Sequence, residues 1–359
     1  MRRSTWTFVV SLNVLLAWNL VAAETLTLRS PLNMQVIQRG PQDTADVVIS
    51  GQVTGKPVSI EVKAELAANA ARGKATDWVV AAKGEALSAD GFSGKITLSA
   101  GGWYAISIRA VNGKDVLAEQ RIERVGVGDV FITAGQSNSA NFGSKRMTAE
   151  DDRVVYFDGK AFVPAKDPIP GGFGGGGTPW PIAGDLIVKA TGMPVCFRSA
   201  TLDYSPVKEW MKGAAKRKQK YYETLLERSQ WFGVNGVRAV LWHQGESDSL
   251  DKTSAEDYCK QLGAVAEALS KDLGYKLDWF VAGASFHPGC GKPQWDAVAE
   301  GQTLLWARKI ALKGAFTDDL VGPEFRAGDK VHFNEKGLKE HGKRWFEALA
   351  AQYGWKARK

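Results

Sequence analysis

From about residue 126 onward, short and largely apolar runs of strand length alternate with longer segments that carry apolar residues at helical spacing. The runs are residues 130–134, 195–199, 237–242 and 279–282. Such runs are typical of strands buried on both faces of a parallel sheet. The apolar helical faces include Tyr258, Leu262, Val265 and Leu269, and near the end Leu338, Trp345, Leu349 and Tyr353. The alternation predicts an α/β domain over residues 126–359, a three-layer αβα sandwich with helices on both sides of the sheet.

Residues 24–125 instead alternate apolar and polar side chains, the pattern of strands with one buried face. For example, Ile60, Val62 and Ala64 are separated by Glu61 and Lys63. Turns that contain Gly, Asp and Asn separate one such segment from the next. This region predicts a small all-β sandwich of about 100 residues that precedes the α/β domain.

The first 23 residues have the layout of a secretory signal peptide. Arg2 and Arg3 precede an apolar stretch over residues 6–20, and Val21, Ala22 and Ala23 form a small-residue cleavage pattern. We therefore expect a secreted or periplasmic protein with no membrane association after cleavage. A retained membrane anchor is the alternative, but the stretch is barely long enough to span a bilayer and contains polar residues.

The charge balance and the cysteine content argue against several function classes. The formal charge is +7, of which Arg2 and Arg3 contribute two units. An excess this small does not indicate a nucleic-acid partner. The 3 cysteines allow at most one disulfide, and together with the 4 histidines they match no zinc spacing. We expect no metal site, and the sequence does not indicate an oligomeric state.

The first candidate site motif is Gly135-Gln136-Ser137-Asn138, which directly follows the first apolar run. Ligands bind α/β sheets at the carboxyl ends of the strands, so residues in this position favour a site. Gly135 permits a tight turn, after which Ser137 stands where free backbone N–H groups can face a developing oxyanion. A serine in this position is also a common helix N-cap, and this motif alone does not decide between the two readings.

Two further motifs carry polar residues at positions where a site is expected. The third apolar run ends with the motif Trp242-His243-Gln244-Gly245-Glu246-Ser247-Asp248, a combination that an ordinary turn does not need. The loop before the last helix contains Asp329-Lys330-Val331-His332-Phe333-Asn334. The spacing of three residues lets Asp329 fix the orientation of His332, although an isolated pair of this kind can also be ordinary surface.

Taken together and in this order, the three motifs resemble the blocks of the SGNH hydrolase superfamily, in its sialate O-acetylesterase and carbohydrate acetylesterase branch. The resemblance covers residues of roughly 127 to 350, and it implies a flavodoxin-like parallel sheet. It also implies that Ser137 is the nucleophile, His332 the general base and Asp329 its orienting acid. Gln244 and the backbone N–H of Ser137 are implied to form the oxyanion hole. The substrate implied is an acetylated carbohydrate, and no metal or organic cofactor is needed.

One position departs from the pattern of the family. Asp203 stands where relatives carry a glycine whose backbone N–H also faces the oxyanion. The N–H of Asp203 can still donate, but a carboxylate about 4 Å from the oxyanion would oppose the reaction by about 4 kcal/mol. We therefore expect Asp203 to point away, to be protonated, or to pair with a cation such as Lys208; the remaining alternative is an enzyme that is slow or altered in its substrate.

The substrate surface is predicted from the same motifs and from nearby aromatic residues. Its predicted members are Gln136, Asn138, His243, Glu246, Tyr204, Trp180 and Trp210. The glycine-rich segment 171–177 lacks the ending of a phosphate loop, and we interpret it as a mobile loop that brings Trp180 to the rim. Ser285 also follows a predicted strand, but His287 stands where the nucleophile motif Gly-x-Ser-x-Gly requires a glycine, so we do not expect Ser285 to be the nucleophile. The basic cluster from Lys212 to Lys220 is either a solvated helix start or a patch that attracts an acidic glycan.

Three functions are compatible with these residues. The first is a secreted serine esterase that removes O-acetyl groups from a carbohydrate through an acetyl-enzyme intermediate. The second is an esterase or lipase for another acyl group, because a triad does not specify the acyl chain. The third is a glycan-binding protein with vestigial catalysis. The presence of Asp203 favours this function, and the complete set of Ser137, His332 and Asp329 argues against it.

Overall fold

The computed structural model describes residues 24–356, apart from residues 69, 71, 89 and 215–219. The predicted signal peptide, residues 1–23, lies outside the described residues, and so does residue range 216–218 of the basic cluster. None of the helices within the described ranges combines the length and the apolar character needed to cross a bilayer.

The N-terminal part is built of strands, as its alternating pattern predicts. The strands are β1 (Leu26–Ser30), β2 (Gln35–Gln38), β3 (Thr44–Val53), β4 (Ser59–Leu66), β5 (Val79–Lys83), β6 (Leu87–Ser88), β7 (Gly91–Ser99), β8 (Trp103–Asn112) and β9 (Asp115–Gly135). Strands β1, β3, β7 and β6 form one antiparallel sheet, and β5, β4, β8 and the first half of β9 pair as a second. Residues such as Ile49, Val62, Leu98 and Ile106 form the core of this region.

Strand β9 connects the two halves of the molecule. It is 21 residues long, and the predicted boundary at residues 125/126 lies inside it. Its first half pairs with β8, while its second half enters the parallel sheet. At the crossing point Asp129 is almost fully buried and bonds both to Arg39, at 3.0 Å from Nε, and to Arg238. The ion pair to Arg39 therefore ties the β2–β3 connection to the base of the parallel sheet.

The C-terminal part alternates strands and helices, which confirms the predicted fold class. Its elements are β10 (Val154–Phe157), β11 (Phe162–Pro164), α1 (Trp180–Thr191), β12 (Val195–Ser199), α2 (Tyr221–Gln230), β13 (Ala239–His243), α3 (Glu246–Asp251), α4 (Ala255–Leu273), β14 (Asp278–Gly283), α5 (Lys292–Ala307), β15 (Leu312–Phe316) and α6 (Glu335–Tyr353). The strand order is β11-β10-β12-β9-β13-β14-β15, and all these pairings are parallel except that of the edge strand β11.

Two apolar layers hold helices against the two faces of this sheet. One face packs against α1 and α6 through residues such as Trp180 and Trp345. The other packs against α2, α4 and α5 through residues that include Leu225, Leu262 and Leu305. Because successive side chains of a strand point to opposite faces, strands buried on both sides must be apolar throughout. All the parallel strands thus end at one edge, where the three motifs lie.

Candidate active site

Ser137 lies at the carboxyl end of β9, in a short helical turn over Ser137–Ser139. The turn follows Gly135, which has a φ of 111° and lies against β13. A Cβ atom at Gly135 would lie 2.1 Å from the carbonyl oxygen of His243, so no other residue fits there. The N–H of Gln136 donates to the same carbonyl at 3.0 Å. The close contact of β9 and β13 therefore determines where Ser137 begins its turn.

His332 and Asp329 form a pair on the loop before α6. His332 Nδ1 lies 2.6 Å from Asp329 Oδ2, and Oδ1 accepts the backbone N–H groups of Val331 and His332, each at 2.9 Å. Burial acts to raise the pKa of Asp329, but the hydrogen bonds from His332 and Val331 outweigh it and lower the pKa overall. The carboxylate is therefore ionised and holds the proton of His332 on Nδ1. In the described part of the chain Nε2 of His332 makes no hydrogen bond, so it is left as a base.

Contacts between neighbouring residues hold the serine loop and the histidine loop together. Asn138 Nδ2 donates to the carbonyl of Val331 at 3.3 Å, and the N–H of Ser144 donates to the carbonyl of Phe333 at 2.9 Å. The ring of Phe142 stacks on the imidazole of His332, with 4.9 Å between centroids. Ser137 Oγ itself has no hydrogen-bond partner among the described residues. The structure thus brings the two predicted catalytic loops into contact, with both reactive atoms uncommitted.

Beneath Ser137 lies a buried polar network formed by the first two motifs. Glu246 Oε1 accepts a hydrogen bond from Asn138 Nδ2 at 2.7 Å and lies 3.4 Å from His243 Nε2. Gln136 Oε1 accepts the N–H of Ser247 at 3.1 Å. Burial acts to raise the pKa of Glu246, but His243 and Asn138 lower it to about 2. Gln136, Asn138, His243 and Glu246 therefore support the serine loop, and contact between them and a substrate stays a prediction.

Gln244, the predicted oxyanion donor, is fully buried and already hydrogen-bonded. Its Nε2 donates to Asp248 and to Gln136 Oε1, the latter at 3.3 Å, while its Oε1 accepts the hydroxyl of Tyr258 at 3.1 Å. The two amide hydrogens are thus used within the protein. Its role as an oxyanion donor stays a prediction that requires one of these bonds to be exchanged.

Asp203 lies beside the serine loop, as the position of the missing glycine predicts. The N–H of Leu202 donates to the carbonyl of Gly135 at 3.0 Å, which places the next residue along the edge of the site. Of the alternatives given for Asp203, pairing with Lys208 is not observed, because Lys208 Nζ bonds Asp251 at 2.7 Å. Among the described residues, no hydrogen bond or ion pair engages the Asp203 carboxylate. Tyr204, the next residue, is 59% exposed.

The prediction that Trp180 and Trp210 belong to the substrate surface is wrong. Both side chains are completely buried. Trp180 packs against Trp345, and its indole N–H donates to the carbonyl of Ser139 at 2.9 Å. Trp210 packs against Trp242, with 4.9 Å between ring centroids. Large aromatic residues occur both in cores and in binding sites, and the sequence alone does not separate the two positions.

His287 is a site residue that sequence reasoning missed. It follows β14 at the same edge of the sheet, and its Nδ1 accepts the N–H of Gly289 at 3.0 Å, which leaves Nε2 as the donor. Burial and the charge of His332 lower its pKa, although Glu246 opposes this shift. The position of His287 directly after a predicted strand is the feature of the sequence that could have indicated a site residue. The neighbouring Ser285 is not a nucleophile candidate, since its hydroxyl donates to Asp318 at 2.6 Å.

Arg326 is a second residue that the motifs did not reveal. It is 4% exposed, and its Nη1 donates to the carbonyl of Val331 at 2.6 Å. Its guanidinium also lies 3.9 Å from the ring centroid of Phe333. Arg326 therefore holds the histidine loop from beneath. The described residues contain no group of three or more His, Cys, Asp or Glu side chains arranged to hold a metal ion.

Comparison with known proteins identifies the family of this arrangement. The family model described as a carbohydrate esterase, sialic acid-specific acetylesterase, matches residues 127–351. A curated relative, a probable carbohydrate esterase of Arabidopsis thaliana, is 36% identical over 69 residues. That match covers 19% of this chain and spans only 25% of the length of the relative.

Solved structures show the same fold. A carbohydrate acetylesterase from Xanthomonas citri is 21% identical with a TM-score of 0.58, and the match covers 92% of this chain and 76% of that one. A protein from Arabidopsis thaliana is 20% identical with a TM-score of 0.51, covering 63% of this chain and 98% of its own. The family model, which matches residues 127–351, confirms the predicted resemblance to the carbohydrate acetylesterases, and these structures show the shared fold.

Proposed function

Because the chain belongs to the carbohydrate esterase family of sialic acid-specific acetylesterases, we propose that it is a serine esterase that removes O-acetyl groups from a carbohydrate. Membership of this family confirms the broader prediction of a carboxylic ester hydrolase. The observation that carries the finer proposal is the Asp329 and His332 pair, whose free Nε2 belongs to a loop bound to the loop of Ser137.

The reaction follows from the protonation states at the site. Asp329 keeps the imidazole proton on Nδ1, so Nε2 of His332 can accept the proton of Ser137 Oγ. The hydroxyl oxygen then attacks the acetyl carbonyl, and the sugar alcohol leaves with the proton that His332 returns. Water activated by His332 releases acetate from the acetyl-enzyme by the same steps in reverse order.

The oxyanion of each tetrahedral intermediate needs donors at the carboxyl edge of β9. The backbone N–H of Ser137 lies at the start of a helical turn, where N–H groups have no partner within the turn. The backbone N–H of Asp203 is the second donor in this proposal, and Asp203 is only partly buried. Each such donor is worth about 2.7 to 4 kcal/mol of transition-state stabilisation.

Acetate release by the protein from residue 24 onward tests this proposal, first with an activated aryl acetate and then with acetylated glycans. Ser137→Ala and His332→Ala should each lower kcat/KM by about 10⁴-fold or more, without a change in melting temperature beyond a few degrees. Ser285→Ala is the matched control, because Ser285 also follows a strand at this edge but bonds Asp318. Retained hydrolysis in Ser137→Ala would refute the assignment, and sugar binding without hydrolysis in the parent would favour a vestigial site.

We also propose that the protein is exported, which rests on the layout of residues 1–23. Mass spectrometry of the protein recovered from the periplasm or the medium should find an N-terminus at Glu24. Retention of the full chain in the membrane fraction would instead favour the anchor.

A further inference from the structure

The loop after β14 carries the imidazole of His287 with a defined arrangement of protons. Its Nδ1 accepts the N–H of Gly289 at 3.0 Å, so the neutral ring carries its proton on Nε2. Nε2 makes no hydrogen bond within the described part of the chain, and the residue is only partly buried. His287 therefore presents an N–H donor that the protein itself leaves unused.

Hydrogen bonds from three other parts of the chain hold the backbone of this loop in place. The N–H of Ser285 donates to Asp318 Oδ1 at 2.7 Å, and the carbonyl of Ser285 accepts the hydroxyl of Ser249, in α3, at 2.7 Å. The carbonyl of His287 accepts the indole N–H of Trp295, in α5, at 3.0 Å. Because these contacts fix the loop from several sides, less freedom is lost when a ligand binds to the Nε2–H group.

The loop of His287 lies beside the loop of His332, and one guanidinium joins them. The guanidinium of Arg326 lies 3.9 Å from the ring centroid of Phe333, the residue after His332. It also lies 5.5 Å from the ring centroid of Phe286, the residue before His287. Contacts of a cation with an aromatic ring at these distances are attractive. A single buried cation thus ties the two loops to each other.

The charges around His287 place its imidazole at the same edge as the proposed catalytic groups. Burial lowers the pKa of His287, Glu246 raises it and His332 lowers it, with a net shift downward. In salt solution such interactions fade over about 10 Å, so both groups lie near the ring. Glu246 in turn accepts a hydrogen bond at 2.7 Å from the side chain of Asn138, the residue after Ser137. His287 is therefore uncharged at neutral pH and lies beside the site.

The order of the strands decides which half of the ester lies near His287. In the sheet, β12, β9, β13, β14 and β15 follow one another. Asp203 and Ser137, the proposed oxyanion donors, follow β12 and β9, whereas His287 follows β14. The loop of His332 follows β15, and His332 returns its proton to the leaving alcohol, so the alcohol must lie next to His332 and away from the oxyanion donors. His287 is consequently on the alcohol side of the ester bond that breaks.

We propose that His287 is a specificity-determining residue, which donates its Nε2–H to an oxygen atom on the carbon next to the esterified carbon of the leaving alcohol. This inference rests on the proposed esterase function. A sugar offers such an oxygen beside its ester, whereas a simple alkyl alcohol does not. Since Nε2 of His287 is already protonated, it does not compete with His332 for the proton of Ser137, and the neutral ring does not repel the imidazolium that forms at His332. The contact favours esters of sugars and other polyols over esters of simple alcohols.

Two acetates that differ in one hydroxyl test this contact. They are trans-2-hydroxycyclohexyl acetate, which carries an oxygen on the carbon next to the ester, and cyclohexyl acetate, which does not. The ratio of the first kcat/KM to the second should fall by about 2- to 10-fold in His287→Leu, the size expected for one neutral hydrogen bond. The activated aryl acetate has no such oxygen, so its kcat/KM in His287→Leu should stay close to that of the parent.

His287→Gln separates hydrogen bonding from packing, because the amide nitrogen of glutamine can take the place of Nε2 and still donates. This variant should recover part of the ratio. Lys292→Gln is the matched control, because Lys292 follows His287 on the way into α5 and also carries N–H donors, but it is exposed and bonds Asp296 at 2.7 Å. Its ratio should equal that of the parent. Nitrogen chemical shifts of the parent should show His287 protonated on Nε2.

The outcomes distinguish this inference from the function on which it rests. An unchanged ratio in His287→Leu, an equal fall in Lys292→Gln, or a proton on Nδ1 of His287 would overturn the contact, while hydrolysis that depends on Ser137 would leave the esterase intact. A ratio restored in His287→Gln supports the contact even where His287→Leu folds less well. A parent that hydrolyses none of these esters would overturn both the contact and the esterase.

Discussion

Asp329→Asn is the most informative single change at the proposed triad, because the backbone dictates which way the new amide must face. Oδ1 of Asp329 accepts two backbone N–H groups at 2.9 Å, so in the variant the amide oxygen must stay at that position. The amide nitrogen then occupies the position of Oδ2, 2.6 Å from Nδ1 of His332. An N–H group facing Nδ1 forces the imidazole proton onto Nε2, and His332 can no longer accept the proton of Ser137.

The magnitude follows from comparing this variant with Asp329→Ala. The Asp329 side chain is 49% exposed, so its attraction for a protonated His332 lies between the values for water and for a protein surface, about 1 to 4 kcal/mol. Removing the charge in Asp329→Ala should therefore lower kcat/KM by roughly 5- to 1,000-fold. Asp329→Asn adds the wrong tautomer and should cost about 10⁴-fold, the size of the corresponding change in serine protease triads.

The assay is kcat/KM for an activated aryl acetate in the parent and both variants, with the melting temperature as a check on folding. Nitrogen chemical shifts of the imidazole report the tautomer of His332 directly. If Asp329→Asn retains more activity than Asp329→Ala, or if Nδ1 of His332 stays protonated in Asp329→Asn, then the role assigned to the backbone N–H groups is incorrect.

Two further changes test the support beneath Ser137. Burial raises the pKa of Glu246, but the hydrogen bond and the charge of His243 have the larger combined effect and lower the pKa to about 2. The ionised carboxylate therefore stabilises the fold at any pH above the ordinary pKa of glutamate. That stabilisation is lost as the pH falls from about 4.5 towards 2. Over this range the free energy of unfolding of the parent, measured with urea, should lose up to about 3 kcal/mol of its advantage over that of Glu246→Gln. A difference between the two proteins that does not change with pH would contradict the assignment. Trp180→Phe leaves the buried carbonyl of Ser139 without its donor. Trp279→Phe is the control, because the indole N–H of Trp279 has no partner among the described residues. The Trp180 variant should be about 1 to 3 kcal/mol less stable than the Trp279 variant. Equal losses in the two variants would show that the bond to Ser139 contributes nothing.

The fold class was accessible from the sequence because the signals that specify it are local. Alternation with a period of two predicts the N-terminal strands, and largely apolar runs between helical faces predict the parallel sheet. The contact of Asp329 with His332 was also predictable, since the two residues are only three positions apart. What the local pattern did not indicate is that β9 belongs to both sheets, because pairing is decided by the strands on either side.

The sequence by itself determined which chemical groups are present and at which ends of the strands they stand: Ser137, the motif around Glu246, and the pair of Asp329 and His332. Only the tertiary structure decided which of them meet and which are buried. It buried Trp180 and engaged the amide of Gln244 in hydrogen bonds within the protein. The physical reason is that burial and charge compensation depend on neighbours that are distant in the chain, and no local pattern of residues encodes them.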